Sequence, residues 1–315
     1  MEKYLEDNIE QVKKFMFKQV KNDRITIQGD FIDWDHTYFW CNEYINDYLN
    51  LVSLDDKQNA LSVLSSGDHV FNLVTKGIID IDSFDSNKMT EYFALGLKRA
   101  MILKYNYNEF LEVTNKLCNI LTCNEEIYEI IIGLYPYMQD DHHIFWNTVI
   151  NYNYEIQKFY GNRLNLIRML CIGFNGGKRQ KGYIDNNNYL QNEESYNRLR
   201  NLLSKANISF THCKAHRLND KFSEKYDVIL LSNILDYFSA FFGTKWDYQK
   251  LYEFEKILEE LAKKDGLIFL HYIWGDNPQK IFSGSIVKEE DFRNEKILQV
   301  SSQHSTDKII LKRVK

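Results

Sequence analysis

Three short polar clusters are equipped to do chemistry, and each stands directly after an apolar run of strand length. Ser65, Ser66, Gly67 and Asp68 follow Ala60-Leu61-Ser62-Val63-Leu64. Asp85, Ser86 and Asn87 follow the run from Ile78 to Phe84, and Ser232, Asn233, Asp236 and Tyr237 follow the run from Tyr226 to Leu231. In an open parallel sheet, ligands bind at the carboxyl ends of strands, where the strand order reverses. A glycine after the first strand lets a ligand approach the backbone closely. An acidic residue after the second can accept hydrogen bonds from both hydroxyls of a ribose. Together Ser65, Ser66, Gly67, Asp68, Asp85, Ser86, Asn87 and Asn233 predict a nucleoside site. The plainer alternative makes Gly67 an ordinary turn and Asp85 a helix N-cap. The first loop has one glycine where a pyrophosphate needs Gly-x-Gly-x-x-Gly, which disfavours a dinucleotide and favours S-adenosylmethionine, a nucleoside with no phosphate to cradle.

Asp236 and Tyr237 fall at the edge where the reactive end of such a cofactor would lie, and they are the expected catalytic pair. Asp236 could act as a base, although desolvation of an already nucleophilic amine would serve as well. It could equally cap or pair with a neighbouring loop. His216 and His271 lie near strand ends with no assigned role. No metal site is expected. The cysteines at 41, 118, 123, 171 and 213 contain no Cys-x-x-Cys spacing and read as reduced thiols. His142 and His143 are adjacent, so on a helix they point about 100° apart. Gly173-Phe174-Asn175-Gly176-Gly177-Lys178-Arg179 is one residue short of a phosphate-binding loop and lacks its Ser/Thr. The basic group Lys178, Arg179 and Lys181 reads first as a solvated loop.

The elements that must position these residues are legible from periodicity. Leu5, Ile9, Val12, Met16 and Val20 mark an amphipathic N-terminal helix. Strand, helix, strand and helix then follow between residues 59 and 101, with Val70, Phe71 and Val74 buried in the first helix and Met89, Phe93, Leu97, Ala100 and Met101 in the second. Residues 105–205 read as a helical insert rich in Tyr and Asn, with no strand alternation, lying over the cofactor edge. Sheet texture returns at Ile208 to His212 and at Tyr226 to Leu231. A helix after Trp246 buries Leu251, Phe254, Leu258 and Leu261, with Asp265-Gly266 as its stop. Leu267 to Tyr272, Lys296 to Val300 and Lys308 to Val314 complete the strands. The expected class is α/β, mostly parallel and Rossmann-like, with residues 1–58 as an N-terminal helical segment and 59–315 as the cofactor-binding domain.

Composition bounds the function. The chain has 315 residues and a formal net charge of −5, with a pI near 5.9. An acidic chain lacks the positive excess that nonspecific nucleic-acid binding runs on. No apolar run approaches the ~20 residues of a membrane span, and the first residues lack an apolar signal core, so a soluble cytoplasmic protein is expected.

The segment Asn59 to His69 resembles the first motif of the S-adenosylmethionine:diacylglycerol 3-amino-3-carboxypropyltransferases of betaine-lipid synthesis, in which a strand runs into a Ser-x-Gly-Asp-Asn-like turn. The similarity continues through Phe84-Asp85-Ser86-Asn87, Leu95-Gly96-Leu97-Lys98-Arg99-Ala100 and Tyr107-Asn108-Glu109-Phe110-Leu111. Tyr38-Phe39-Trp40-Cys41-Asn42-Glu43 is distantly similar to the family's Trp-Glu-Asp signature. Ser232 to Tyr237 is similar to its Ser-x-x-x-Asp-Trp segment. His69 stands where that family usually has Asn, Ser86 where Leu is common, and Lys214 where many S-adenosylmethionine enzymes place an adenine-binding Asp. The resemblance implies a class I methyltransferase-like fold, S-adenosylmethionine as cofactor, and transfer of the aminocarboxypropyl arm to a small-molecule or lipid acceptor with release of methylthioadenosine. Methyl transfer on the same scaffold is the runner-up, and a non-catalytic nucleoside sensor a third reading. Neither nucleic acid nor more than peripheral membrane contact is expected.

Overall fold

The computed structural model describes residues 2–22, 36–119, 124–160, 166–172, 184–237, 248–273, 296–300 and 307–315. Seven strands form one sheet: β1 (Asn59–Val63), β2 (Asp80–Asp85), β3 (Asn207–His212), β4 (Tyr226–Leu230), β5 (Ala262–Ile273), β6 (Lys296–Gln299) and β7 (Lys308–Arg313). Their spatial order is β3-β2-β1-β4-β5-β7-β6. Strands β1 to β5 run parallel, and β7 runs antiparallel to both β5 and β6. That order, with only the seventh strand reversed, is the class I S-adenosylmethionine-dependent methyltransferase fold. The chain reverses direction across the sheet between β1 and β4, and the crevice that this leaves at the carboxyl ends is where the fold places a ligand.

The helices that matter for position are α1 (Glu2–Asn22), α2 (Ile45–Leu49), α3 (Asp68–Thr75), α4 (Arg99–Lys104), α5 (Tyr107–Asn119), α6 (Asn124–Ile132), α7 (Asp140–Tyr160), α8 (Leu166–Leu170), α9 (Glu193–Leu203) and α10 (Tyr248–Leu261). None of the helices among the described residues is long and apolar enough to cross a membrane. Leu5, Val12 and Met16 of α1 share one continuous core with Ala60 of β1 and Phe145, Trp146 and Val149 of α7. A second core lies on the opposite face, where Leu251, Phe254 and Leu258 of α10 cover Leu61, Ile229 and Ile268. Residues of β1 alternate between the two cores, which is why this strand is apolar along both faces.

Three expectations are corrected. Residues 91–98 form a π-helix before α4, not a plain α-helix; such widened turns occur mostly at functional sites. Asp265-Gly266 does not stop the helix. Helix α10 ends at Leu261 and passes directly into β5, while Asp265 (φ 61°) and Gly266 shape an irregularity between the Tyr226–Ala262 and Val228–Leu267 pairs. A Cβ on Gly266 would lie 2.7 Å from the Lys263 carbonyl, so glycine is required by a tight fold-back within the strand. The insert also contains a strand: Cys171–Ile172 pairs in parallel with Thr37–Tyr38, tying it to the N-terminal segment. The Gly173 to Arg179 run and Lys181 lie outside the described residues.

Candidate active site

The three polar clusters come together at the carboxyl ends of three adjacent strands, β2, β1 and β4. Their side chains divide into two groups. Ser65, Asp85, Ser86 and Asn233 are partly exposed, whereas Ser66, Asp68, Asn87 and Asp236 are buried.

Asp85 is the link between the first two loops. Its Oδ2 accepts from the Ser65 backbone N–H at 2.9 Å and its Oδ1 from the Asn87 N–H at 2.9 Å, which holds Ser65 in a left-handed conformation at φ 46°. Burial pushes the Asp85 carboxyl up to about 6, with the backbone N–H groups of Asn87, Ser65 and Ser86 opposing the rise. A carboxylate offers about four acceptor sites, so capacity remains for a ligand hydroxyl. Beyond Asp85, His212 at the end of β3 lies with Nε2 3.1 Å from the Ser86 carbonyl.

Gly67 is needed by the chain itself. It caps α3 at φ 84°, and a Cβ there would fall 2.8 Å from Phe71 Cε2 and 3.0 Å from Ala94 Cβ. Packing of the first loop on α3 and the π-helix thus requires a glycine here by itself. Asp68 likewise turns inward. Its Oδ1 accepts from Lys98 Nζ at 2.6 Å and the Tyr189 hydroxyl at 2.6 Å, and its Oδ2 from the Cys41 N–H at 2.6 Å and the Ser66 hydroxyl at 2.8 Å. Four donors fill the carboxylate, so a ligand could meet this loop only beside Asp68, not through its oxygens. Asn87 caps the following turn through Met89 N–H and donates to the His36 carbonyl.

Lys98, at the end of the π-helix, is fully buried. Its ammonium donates to the carbonyls of Phe39 and Ser66 as well as to Asp68, and it sits 4.3 Å from the centroid of the Trp40 ring. Burial draws its pKa down, against the pull of Asp68. The insert reaches the strand ends here through Tyr189, while α7 packs on α1 and the π-helix, with Trp146 donating to the Tyr92 carbonyl at 2.9 Å.

At the end of β4, Ser232 (φ 62°) donates to Glu43 from the N-terminal segment. Asn233 donates to Asp236 Oδ2 at 3.2 Å. His271 of β5 lies with Nε2 3.6 Å from Asp236 Oδ1, and burial holds its imidazole down to about 3, so it is neutral. Burial also pushes the Asp236 carboxyl up to about 7, opposed by the Asn233 side chain and assisted by the charge of Glu43. Tyr237 ends the same turn, and its side chain lies outside the described residues.

The raised carboxyl has a measurable consequence. A group whose folded pKa exceeds its unfolded value costs nothing while protonated in both states, and it weakens the fold as pH rises from about 3.8 through about 7. Asp236→Asn removes that penalty. In urea titrations the variant should gain on the wild type across this window, by on the order of 4 kcal/mol at its upper end. A difference that stays constant with pH would mean that Asp236 titrates normally.

Sequence spacing did not single out Cys41, Lys98 or Tyr189 as working residues, and it left His271 unassigned. Glu43 and His69 appear there only within motif comparisons. His142 and His143 lie apart from the strand ends: His142 faces Tyr92 and Glu91, and His143 packs on Tyr135. Cys41, Cys171 and Cys213 are buried.

The chain matches no protein-family model and no curated protein. Among solved structures it is similar to the rRNA methyltransferase AviRa from Streptomyces viridochromogenes, at 10% identity and a TM-score of 0.38, over 86% of this chain and 83% of that one. The fold assignment stands on the strand order itself.

Proposed function

We propose that this protein binds S-adenosylmethionine across the ends of β2, β1 and β4 and transfers a carbon group from it to a nucleophilic acceptor. The observation that carries this reading is the row of partly exposed polar side chains, Ser65, Asp85, Ser86 and Asn233, on three neighbouring strands at the chain reversal. Asp85 would accept the ribose hydroxyls, with Ser65 and Ser86 beside it. Asn233 would face the reactive end. When bound, the cofactor supplies a sulfonium with three electrophilic carbons, and the one in line with the acceptor reacts. Asp236, with its carboxyl near 7 and held by Asn233, is suited to take the acceptor's proton at neutral pH. Neutral His271 keeps a second ring nitrogen beside it.

The resemblance of the residue 59–112 and 226–238 motifs favours transfer of the aminocarboxypropyl arm to a small-molecule or lipid acceptor. Methyl transfer on the same scaffold is the second reading. Incubation of the full chain with S-adenosylmethionine and cell extract, with the nucleoside product identified by mass, separates them. Methylthioadenosine above spontaneous background is expected; S-adenosylhomocysteine would replace aminocarboxypropyl by methyl transfer. Cofactor that binds and is not consumed would point to the sensor, and absence of binding would remove the cofactor altogether.

A further inference from the structure

Cys41, Glu43 and His69 converge beside the end of β4. Their ligand atoms all lie within 4.8 Å of one another. Cys41 Sγ stands 3.9 Å from His69 Nε2, and Glu43 Oε2 stands 3.2 Å from the same nitrogen. In a tetrahedral site with metal–sulfur distances of about 2.3 Å and metal–nitrogen or metal–oxygen distances of about 2.0–2.1 Å, neighbouring ligand atoms are about 3.3–3.6 Å apart. The two separations to His69 Nε2 bracket that spacing. One ring nitrogen carries at most one proton, so it cannot donate fully to both a sulfur and a carboxylate. A shared cation satisfies all three.

Burial and charge point the same way. Glu43 is 1% exposed, His69 0% and Cys41 7%. No lysine or arginine among the described residues reaches Glu43, whose contacts are His69, Tyr48 and Ser232. A buried carboxylate without a full cation partner is costly, and Lys98 is already committed to Asp68. The surroundings also resemble an outer coordination shell. The Glu43 N–H points at Cys41 Sγ at 3.5 Å, and the Tyr48 and Ser232 hydroxyls donate to the Glu43 carboxylate.

We propose that Cys41, Glu43 and His69 form a three-ligand site for a divalent transition metal of the zinc class, pinning the N-terminal segment to α3 and β4 and leaving a fourth position for water or an acceptor atom. The site is independent of the cofactor reading, and loss of either leaves the other standing.

Cobalt(II) is the probe. Full-length protein, stripped with chelator and kept reduced, should bind one equivalent of Co²⁺ with a thiolate-to-cobalt charge-transfer band in the near ultraviolet, and Zn²⁺ should displace it. Cys41→Ser should abolish the band, and Glu43→Gln should weaken Co²⁺ binding more than about tenfold. Zn²⁺ should raise the melting temperature of the wild type. Absence of Co²⁺ binding, or a charge-transfer band that survives in Cys41→Ser, would overturn the proposal. Should Cys41→Ser fail to fold, unchanged Co²⁺ affinity in the near-isosteric Glu43→Gln would overturn it equally.

Discussion

Lys98→Met should destabilise the protein by about 3–5 kcal/mol, the cost of leaving one member of a buried ion pair without its partner. The loss falls on Asp68, whose fully buried carboxylate would be left with only neutral donors: Cys41 N–H, Ser66 and Tyr189. It also leaves the Phe39 and Ser66 carbonyls without the ammonium that joins them. Adding Asp68→Asn to Lys98→Met should recover part of the loss, because the uncompensated charge goes while an amide oxygen still accepts. Chemical denaturation of the wild type, the single variant and the double variant measures this directly. A cost below about 1 kcal/mol for Lys98→Met, as for an exposed pair, would mean that the pair does not hold the strand ends together.

Asp85→Ala should weaken S-adenosylmethionine binding about 5- to 150-fold, the equivalent of about 1–3 kcal/mol for hydrogen-bonding groups left unpaired. Part of the effect is indirect, because the variant also releases the Ser65 and Asn87 N–H groups that fix the two loops. Wild-type affinity should rise as pH passes upward through about 6, where Asp85 ionises and becomes the stronger acceptor. Isothermal calorimetry from pH 5 to pH 8 on both proteins tests both statements. Equal affinities would remove Asp85 from the site.

The sheet was legible because its strands are short apolar runs ended by small polar residues, and α3 because Gly67 precedes an apolar helical stripe. What spacing could not report is the direction of a side chain. Asp68 and Asp85 both belong to polar clusters at strand ends, yet one faces the core and the other stays partly exposed. The difference is made by Lys98 and Tyr189, which lie 30 and 121 positions from Asp68. Asp265-Gly266 misled for a local reason: a left-handed residue followed by glycine ends a helix and folds back a strand equally well. The Cys41–Glu43–His69 cluster was hidden because its members become neighbours only when the N-terminal segment crosses the strand ends.

That crossing has a consequence in time. Glu43 and Tyr44 leave the ribosome long before some of the partners that hold their segment. Ser232 is 189 positions beyond Glu43, and Tyr272 is 228 positions beyond Tyr44, whose N–H it accepts. Contacts of such separation form slowly, since the intervening chain must be ordered before they repay its closure. The nascent chain therefore holds this segment only in part, through early partners such as Asp68 and Lys98, until β4 and β5 have been made. A segment completed so late stays a target for mispairing while synthesis continues.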